Sequence, residues 1–422
     1  MRLLTAALAA LLLSPAACAG KATPKTAKPT ASSPASPGAP ATAPDPAAAA
    51  AIQKMLDREL APLAPVAFKT PKGVRGKVEA KATPEVENAE DNEVLSIPIG
   101  TEQPVTCTIF ATRIDAGGTT RRLVDSLAKS LEIVQAFPVD VSEVGGNAIL
   151  FTQVVYRTKT EKGPMAGVLQ VAVQPHETHS LLCVHDEPGY AATFRRIVKG
   201  LVGSLVSEAE DGRAQGRFAE VQAIRIGPVP VGFSERVMWA REDGGRTSLT
   251  WSAQLLPRSP SEFVAIDTVE REESDARGLL IEATHVHVHN GEVESNFTVT
   301  RGEDGKTFRY EGEKKGKKLQ GSFKCQAGLA TELWFARRFD AKSGFGPKDE
   351  VRHEGWSSSA NPLAVTPIVY RKDAAGPRRA RMTIGPLSIA GDLDDHGLFG
   401  KAEMPIGPAT MVLDRIWTRG AP

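Results

Sequence analysis

The stretch LLIEATHVHVHNGEVESNFTVTRGEDGKTFRYEGEKKGKKLQGSF, residues 279–323, decides the fold of the C-terminal half. Its runs at 279–289, 293–300, 307–313 and 318–325 are β-branched or alternating, and Gly and Asp turns separate them. An extended chain points successive side chains to opposite faces, so such runs between turns predict consecutive antiparallel strands. The pattern continues outward at 231–241, 247–256 and 263–271 on one side. On the other it continues at 329–339, 363–371, 381–389 and 410–417, with no convincing helix. Residues 218–422 are therefore expected to form an all-β meander, curled into an open or closed barrel.

The N-terminal half reads differently. Strand patterns at 94–99 and 105–112 precede Gly117, Gly118 and Thr119, which break the chain before a helix with Leu123, Val124, Leu127 and Leu131 on one face. Strands follow at 133–141, 148–158, 165–174 and 178–185, with turns at Gly145-Gly146 and Lys162-Gly163. A second helix carries Phe194, Ile197, Val198, Leu201 and Leu205 at helical spacing. This order predicts an α+β domain over 94–206, an antiparallel sheet with helices packed on it. Residues 207–217, rich in Glu, Asp, Gly and Arg, read as a linker. Residues 51–93 read as poorly ordered or as a short helix through Ile52, Met55, Leu56 and Leu60 that Pro62 stops.

Arg2 precedes an apolar run from Leu3 to Leu13, then Ser14, Pro15 and small residues, so residues 1–19 are expected to be a secretory signal peptide. That run is too short to span a bilayer, which takes about 20 residues. Ala16-Ala17-Cys18 resembles a bacterial lipoprotein box, with Pro15 where the box usually carries Leu. The resemblance implies acylation of Cys18, a membrane anchor, and a place in the periplasm or at the outer membrane. The rival processing site, Ala17-Cys18-Ala19 cut before Gly20, would discard Cys18. Residues 20–50 are almost only Ala, Pro, Thr, Ser and Lys, a composition without apolar surface to offset ordering entropy, and read as a disordered spacer. The 51 Lys+Arg against 50 Asp+Glu leave a formal net charge of +1, which argues against nucleic acid as a partner.

The order of elements over 95–206 and the ending HSLLCVHDEPGYAATFRRIVKGLVGSL, residues 179–205, resemble the PsbP-type α+β fold. That resemblance implies binding and assembly without catalysis. FRYEGEKKGKKLQGSF (308–323) and DLDDHGLFGKAEMPIGPATMVLDRIW (392–417) resemble the later strands of periplasmic proteins built like the lipoprotein carriers LolA and LolB, over about 218–418. Here the implication is an unclosed sheet around an apolar groove for an acyl chain or a partner peptide. A groove filled by the protein's own side chains is the competing expectation.

Cys107 and Cys183 both sit in strand patterns and are candidates for a disulfide, or else two separate buried thiols. Cys325 reads as a small buried hydrophobe. His285, His287 and His289 alternate on one strand face; two of them can share a Zn²⁺ or Cu²⁺, but the third lies about 13 Å from the first. Leu279, Ile281 and Ala283 share that parity, so either the imidazoles face the groove or a bulge near Thr284 flips the face. A solvent-facing polar row is the simpler reading. Asp392 to Glu403 nearly matches a calcium loop, but strand-like flanks and His396 favour a hairpin turn. Gly305-Lys306-Thr307 lacks the first glycine of a phosphate loop. Lys314, Lys315, Lys317 and Lys318, and Arg378, Arg379 and Arg381, read as charged hairpin tips. With no complete catalytic motif and no cofactor signature, the leading expectation is a non-catalytic envelope lipoprotein that binds a lipid, a lipophilic ligand or an envelope protein. The alternatives are a metal-dependent periplasmic enzyme built on the histidine strand and a purely structural envelope component.

Overall fold

A computed structural model describes residue 50 and residues 53–422, except 137, 161–162, 209–215, 340–341, 343, 345–349, 374–375 and 377. The expected signal peptide, Cys18, and all of the spacer but Ala50 lie outside the described residues, as does most of the linker.

The chain is built almost wholly from antiparallel sheet. Strands β1 (Pro65–Lys69) and β2 (Arg75–Glu79) pair as a hairpin. An eight-stranded sheet comprises β3 (Glu85–Asn88), β4 (Asn92–Ile97), β5 (Val105–Phe110), β6 (Glu132–Gln135), β7 (Val139–Val144), β8 (Asn147–Thr160), β9 (Gly163–Gln174) and β10 (Ser180–His185). Its order is β3-β4-β5-β10-β9-β8-β6, with β7 also on β8. Residues 51–93, expected to be poorly ordered or to form a short helix, thus supply three strands and the start of a fourth, and among the described residues of that segment only 53–56 are helical. Phe68, Val74 and Val78 bury their side chains, which settles this short polar-rich segment against the rest of the domain.

Helix α1 (Ala116–Ala128) begins before Gly117 and Gly118, so these glycines lie in its first turn instead of breaking the chain ahead of it. The reason is close approach. A Cβ on Gly117 would stand 2.9 Å from Asp267 Oδ2, and one on Gly118 would stand 3.1 Å from the Gly291 backbone. Helix α2 (Ala191–Ser204) buries Phe194, Ile197, Val198 and Leu201 at the expected spacing. Its N-terminus is capped from far upstream: the Glu59 carboxylate accepts the Ala192 N–H at 2.8 Å and the Thr193 N–H at 2.6 Å.

The third sheet has fourteen strands. They are β11 (Phe218–Ile226), β12 (Val229–Ala240), β13 (Arg246–Ser259), β14 (Glu262–Ser274), β15 (Leu280–His289), β16 (Glu292–Arg301), β17 (Thr307–Lys314) and β18 (Lys317–Lys324). After helix α3 (Glu332–Ala336) come β19 (Glu350–Ser357), β20 (Asn361–Lys372), β21 (Arg379–Ile384), β22 (Leu387–Leu393), β23 (Phe399–Ile406) and β24 (Ala409–Gly420). Sequential hairpins make every link but one: β24 returns to pair with β11, so the sheet's edges are β18 and β19. No ladder joins those edges among the described residues, and the barrel is not closed by hydrogen bonds. Leu319 and Phe323 of β18 and Leu363 and Val365 of β20 pack on one apolar cluster that includes Trp356 of β19.

Two strand readings fail for local reasons. The run at 329–339 holds α3, because Leu333, Trp334, Phe335 and Ala336 are all buried, a continuous apolar patch that alternation cannot supply. The expected strand at 381–389 is two strands, split where Gly385 turns the chain at φ +53.

The two large sheets share one core. α2 covers one face of the eight-stranded sheet. On the other face Leu150, Val171, Val173 and Leu182 pack with α1 and with Val221, Phe233, Leu255, Phe263 and Ala265 from the outer surface of β11–β14. Two buried carboxylates fix the join. Asp267, only 4% exposed, accepts the Gly117 N–H at 2.9 Å and the Gly118 N–H at 2.7 Å, meeting the positive end of α1. Burial nonetheless pushes the Asp267 carboxyl up to about 6. Glu235 accepts the Ala148 N–H at 2.7 Å and pairs with Arg113, whose guanidinium lies over Trp251.

Cys107 and Cys183 stand opposite each other on β5 and β10 and form a disulfide. The bridge spans a sequence separation of 76 residues. Replacing both cysteines by alanine is expected to lower unfolding stability by about 4 kcal/mol through the freed unfolded chain. Urea titration of the variant against the oxidised protein checks this; equal midpoints would show that the bridge contributes nothing.

Candidate functional site

Curling the fourteen-stranded sheet encloses a cavity of 850 Å³. This lies within the range of pockets for small organic ligands, about 300–1,000 Å³. Its lining is two-sided. From β20 to β24 the inward side chains are apolar, among them Ile368, Met382, Ile384, Met404, Met411 and Leu413. From β12 to β14 they are mostly polar, among them Ser234, Arg236, Thr250, Ser252, Thr268 and Glu272, with Met238, Leu256 and Ile266 interspersed.

The polar wall follows from what lies behind it. On β12–β14 the outward positions Phe233, Ala253, Leu255, Phe263 and Ala265 are buried under the eight-stranded sheet and α1. Period-two alternation then sends the intervening Ser, Thr, Glu and Arg inward. On β20–β23 the outer face meets solvent and carries Arg371, Arg381 and Lys401, so there the apolar residues turn inward.

A charged network runs through the polar wall. Arg236 on β12 pairs with Glu220 of β11 and Glu332 of α3. Glu220, 3% exposed, also accepts from Arg415 Nε at 2.6 Å, and Arg415 reaches Asp394 Oδ2 at 2.7 Å. These pairs tie α3 and the β22–β23 turn to the wall. Glu272 on β14 stands beside the network and makes no hydrogen bond or ion pair with another described residue. Burial first, then the Glu270 and Glu332 charges, pushes its carboxyl up to about 8, against the pull of Arg236. Tyr370 on β20 lies in the same field; burial and Glu332 raise its hydroxyl pKa well above the ordinary value.

His285 and His287 line the cavity, continuing the inward parity of Ala283 with no flip at Thr284. They are not the solvent-facing row that was the simpler reading. The β15–β16 register shifts only beyond, between His287 and Val288. The two rings stack at 6.5 Å. His285 Nδ1 lies 3.8 Å from Glu270 and His287 Nε2 lies 3.5 Å from Glu294. Burial pulls His287 below its ordinary value, with Glu294 opposing. His289 is not part of the lining, and among the described residues no three His, Cys, Asp or Glu side chains are grouped to hold a metal ion.

The other motifs have local roles. Asp394 Oδ1 accepts the His396 and Leu398 N–H groups at 2.9 and 3.0 Å, making the calcium-loop look-alike a hairpin turn. Asp304 does the same for Lys306 and Thr307. Arg378 pairs with Asp395 and Arg379 with Asp392 and Glu403, and of the lysine cluster Lys315 pairs with Glu294. The Cys325 thiol bonds to Glu354 and the Gly328 carbonyl, and burial with the Glu354 charge pushes it up to about 12, away from nucleophilic use.

Sequence reasoning missed Glu220, Arg236, Glu270, Glu272, Glu332 and Tyr370. The available signal was the alternation of β12–β14, which places Ser, Thr and Glu on the face opposite Phe, Leu and Ala.

No protein-family model matches the sequence, and no curated protein does. Among solved structures, one similar chain is a β-barrel-like protein of domain of unknown function DUF1849 from Brucella abortus. It is 11% identical, with a TM-score of 0.37, covering 48% of this chain and 97% of that chain.

Glu272 supplies a pH test. Its folded pKa lies above the unfolded value, so the folded state binds the extra proton. Stability is fully present below about pH 4.5 and is lost as pH rises through about 8. Glu272→Gln is expected to remove this decline and to be more stable than the parent at pH 9 by more than about 1 kcal/mol. Urea midpoints at pH 5, 7 and 9 check it; parallel pH profiles for the two proteins would refute it.

Proposed function

We propose that this chain is an exported, lipid-anchored binding protein of the bacterial envelope, whose curled sheet holds a lipophilic small molecule without chemically altering it. The observation that carries the reading is the two-sided cavity. Its volume suits one small molecule, one wall offers apolar surface to a hydrocarbon, and the other offers fixed polar groups that orient a head. The likeness of 308–323 and 392–417 to LolA/LolB strands, and of 95–206 to the PsbP-type fold, supports binding as the role. The Cys107–Cys183 bridge and the signal-like residues 1–19 support an oxidising, extracytoplasmic setting. Binding without catalysis is favoured by the use of the wall's polar groups. Glu220, Arg236 and Glu332 are spent on one another, and the Cys325 thiol is held protonated.

A neutral naphthylamine probe, fluorescent in apolar surroundings, is expected to bind the protein one to one. Met404→Trp, which fills the apolar wall, is expected to weaken that binding about tenfold or more while circular dichroism stays native. Unchanged binding in the variant would move the site elsewhere. Anchoring has its own check: labelled fatty acid fed to the producing bacterium should appear on the protein and vanish in Cys18→Ser. Label retained in that variant, or absent from the parent, would remove the anchor.

A further inference from the structure

We infer that the cavity selects a lipophilic amine, with its ammonium head seated against Glu272 and Glu270 and its hydrocarbon against the Met382, Ile384 and Met404 wall. The inference rests on the proposed reading of the cavity as a ligand site and adds the chemistry of the occupant.

Five carboxylates line the cavity, Glu220, Glu270, Glu272, Glu294 and Glu332, with three cations, Arg236, Arg246 and Lys314. Glu220 and Glu332 pair with Arg236, Glu220 also with Arg415, and Glu294 with Lys315, so among the described residues the two carboxyls without a Lys or Arg partner are Glu270 and Glu272. Among the described residues none of these cations forms a hydrogen bond or ion pair with Glu272. Arg236 is held between Glu220 and Glu332. Arg246 donates through Nη1 to the Gly245 carbonyl while its Nε has no partner among the described residues, and its charge sits beside Arg217 and Arg337. Lys314 lines the cavity close enough to His287 for its charge to disfavour the imidazolium there. What remains is Glu272, a half-buried carboxyl on the cavity wall with no hydrogen-bond or ion-pair partner among the described residues, and a second one, Glu270, two residues along the same strand face. The ion-pair contact of Glu270 among the described residues is His285 Nδ1, at 3.8 Å. An anionic head would meet two uncompensated carboxyls. A neutral head would leave them as they are. An ammonium supplies the counter-charge that burial has denied them.

The surroundings of Glu272 also define what happens on docking. Facing it are Glu270 on its own strand, Arg236 on β12, Ser248 on β13, Ala283 on β15, Glu332 on α3 and Tyr370 on β20. With that set the carboxyl holds its proton near neutral pH. A docking ammonium favours the carboxylate, so the Glu272 proton leaves to the buffer as the ion pair forms, while the amine keeps its own three protons.

The test is titration calorimetry of the purified protein at pH 7 with three probes of equal chain and different head: decylamine, decanol and decanoate. Decylamine is expected to bind about tenfold or more tighter than either of the others. Its heat should differ between two buffers of unlike ionisation enthalpy, reporting release of about one proton. In Glu272→Gln both the preference and the proton release should be lost, while decanol binding stays. Equal affinities for the three heads, or a preference for decanoate, would overturn the amine inference and leave the ligand-site reading standing. No binding of any probe up to millimolar concentration would overturn both. The head-group series on the unmodified protein decides the matter even if the variant fails to fold.

Discussion

One constraint organises the molecule: the eight-stranded sheet and α1 cover the outside of β11–β14. A strand has two faces, and a face buried against a neighbour must be apolar. Phe233, Leu255 and Phe263 are therefore spent outward, and the inside of the same strands is left to Ser, Thr, Glu and Arg. Where no such cover exists, on β20–β23, the ordinary barrel arrangement returns, apolar within and charged without. The cavity is two-sided because the sheet is covered on one side only.

Carboxylates then do different work on the two faces of one strand. On β14, Asp267 points out and is buried while Glu272 points in and is half-buried, and in both desolvation is the first cause of a raised pKa. Asp267 is answered by two backbone N–H groups at the start of α1, which holds the two halves of the protein in register. Glu272 has no such answer among the described residues. The contrast separates a buried charge serving the fold from one left over for something else.

Much of this architecture was legible in the sequence. The hairpin meander of the C-terminal half, the helix on Phe194, Ile197, Val198 and Leu201, and the candidate pairing of Cys107 with Cys183 all follow from period and position. The early strands were not legible, because β1–β3 are short and polar and gain their order from a few residues such as Phe68 and Val78 packing on partners distant in sequence. Helix α3 was hidden because five residues are too few to show a helical period. The inward-facing acids were hidden for a different reason: alternation shows that a strand has two faces but does not say which is covered. The histidine row shows the same difficulty. Parity placed His285 and His287 together, yet only the position of Asp267 on the outer face reveals that these rings point within.

The seam between β18 and β19 has a structural consequence of its own. A ring shut by ladder hydrogen bonds has its bore set by strand number and stagger, and can change only in whole strands. Here no ladder joins β18 to β19 among the described residues, and Phe323, Leu319, Trp356, Leu363 and Val365 from the two sides share one apolar cluster, so the spacing there depends on the bulk of a few side chains. Exchanging one of these residues resizes the interior by a methylene or a ring at a time and leaves every ladder intact, a finer gauge of fit than a sealed barrel offers.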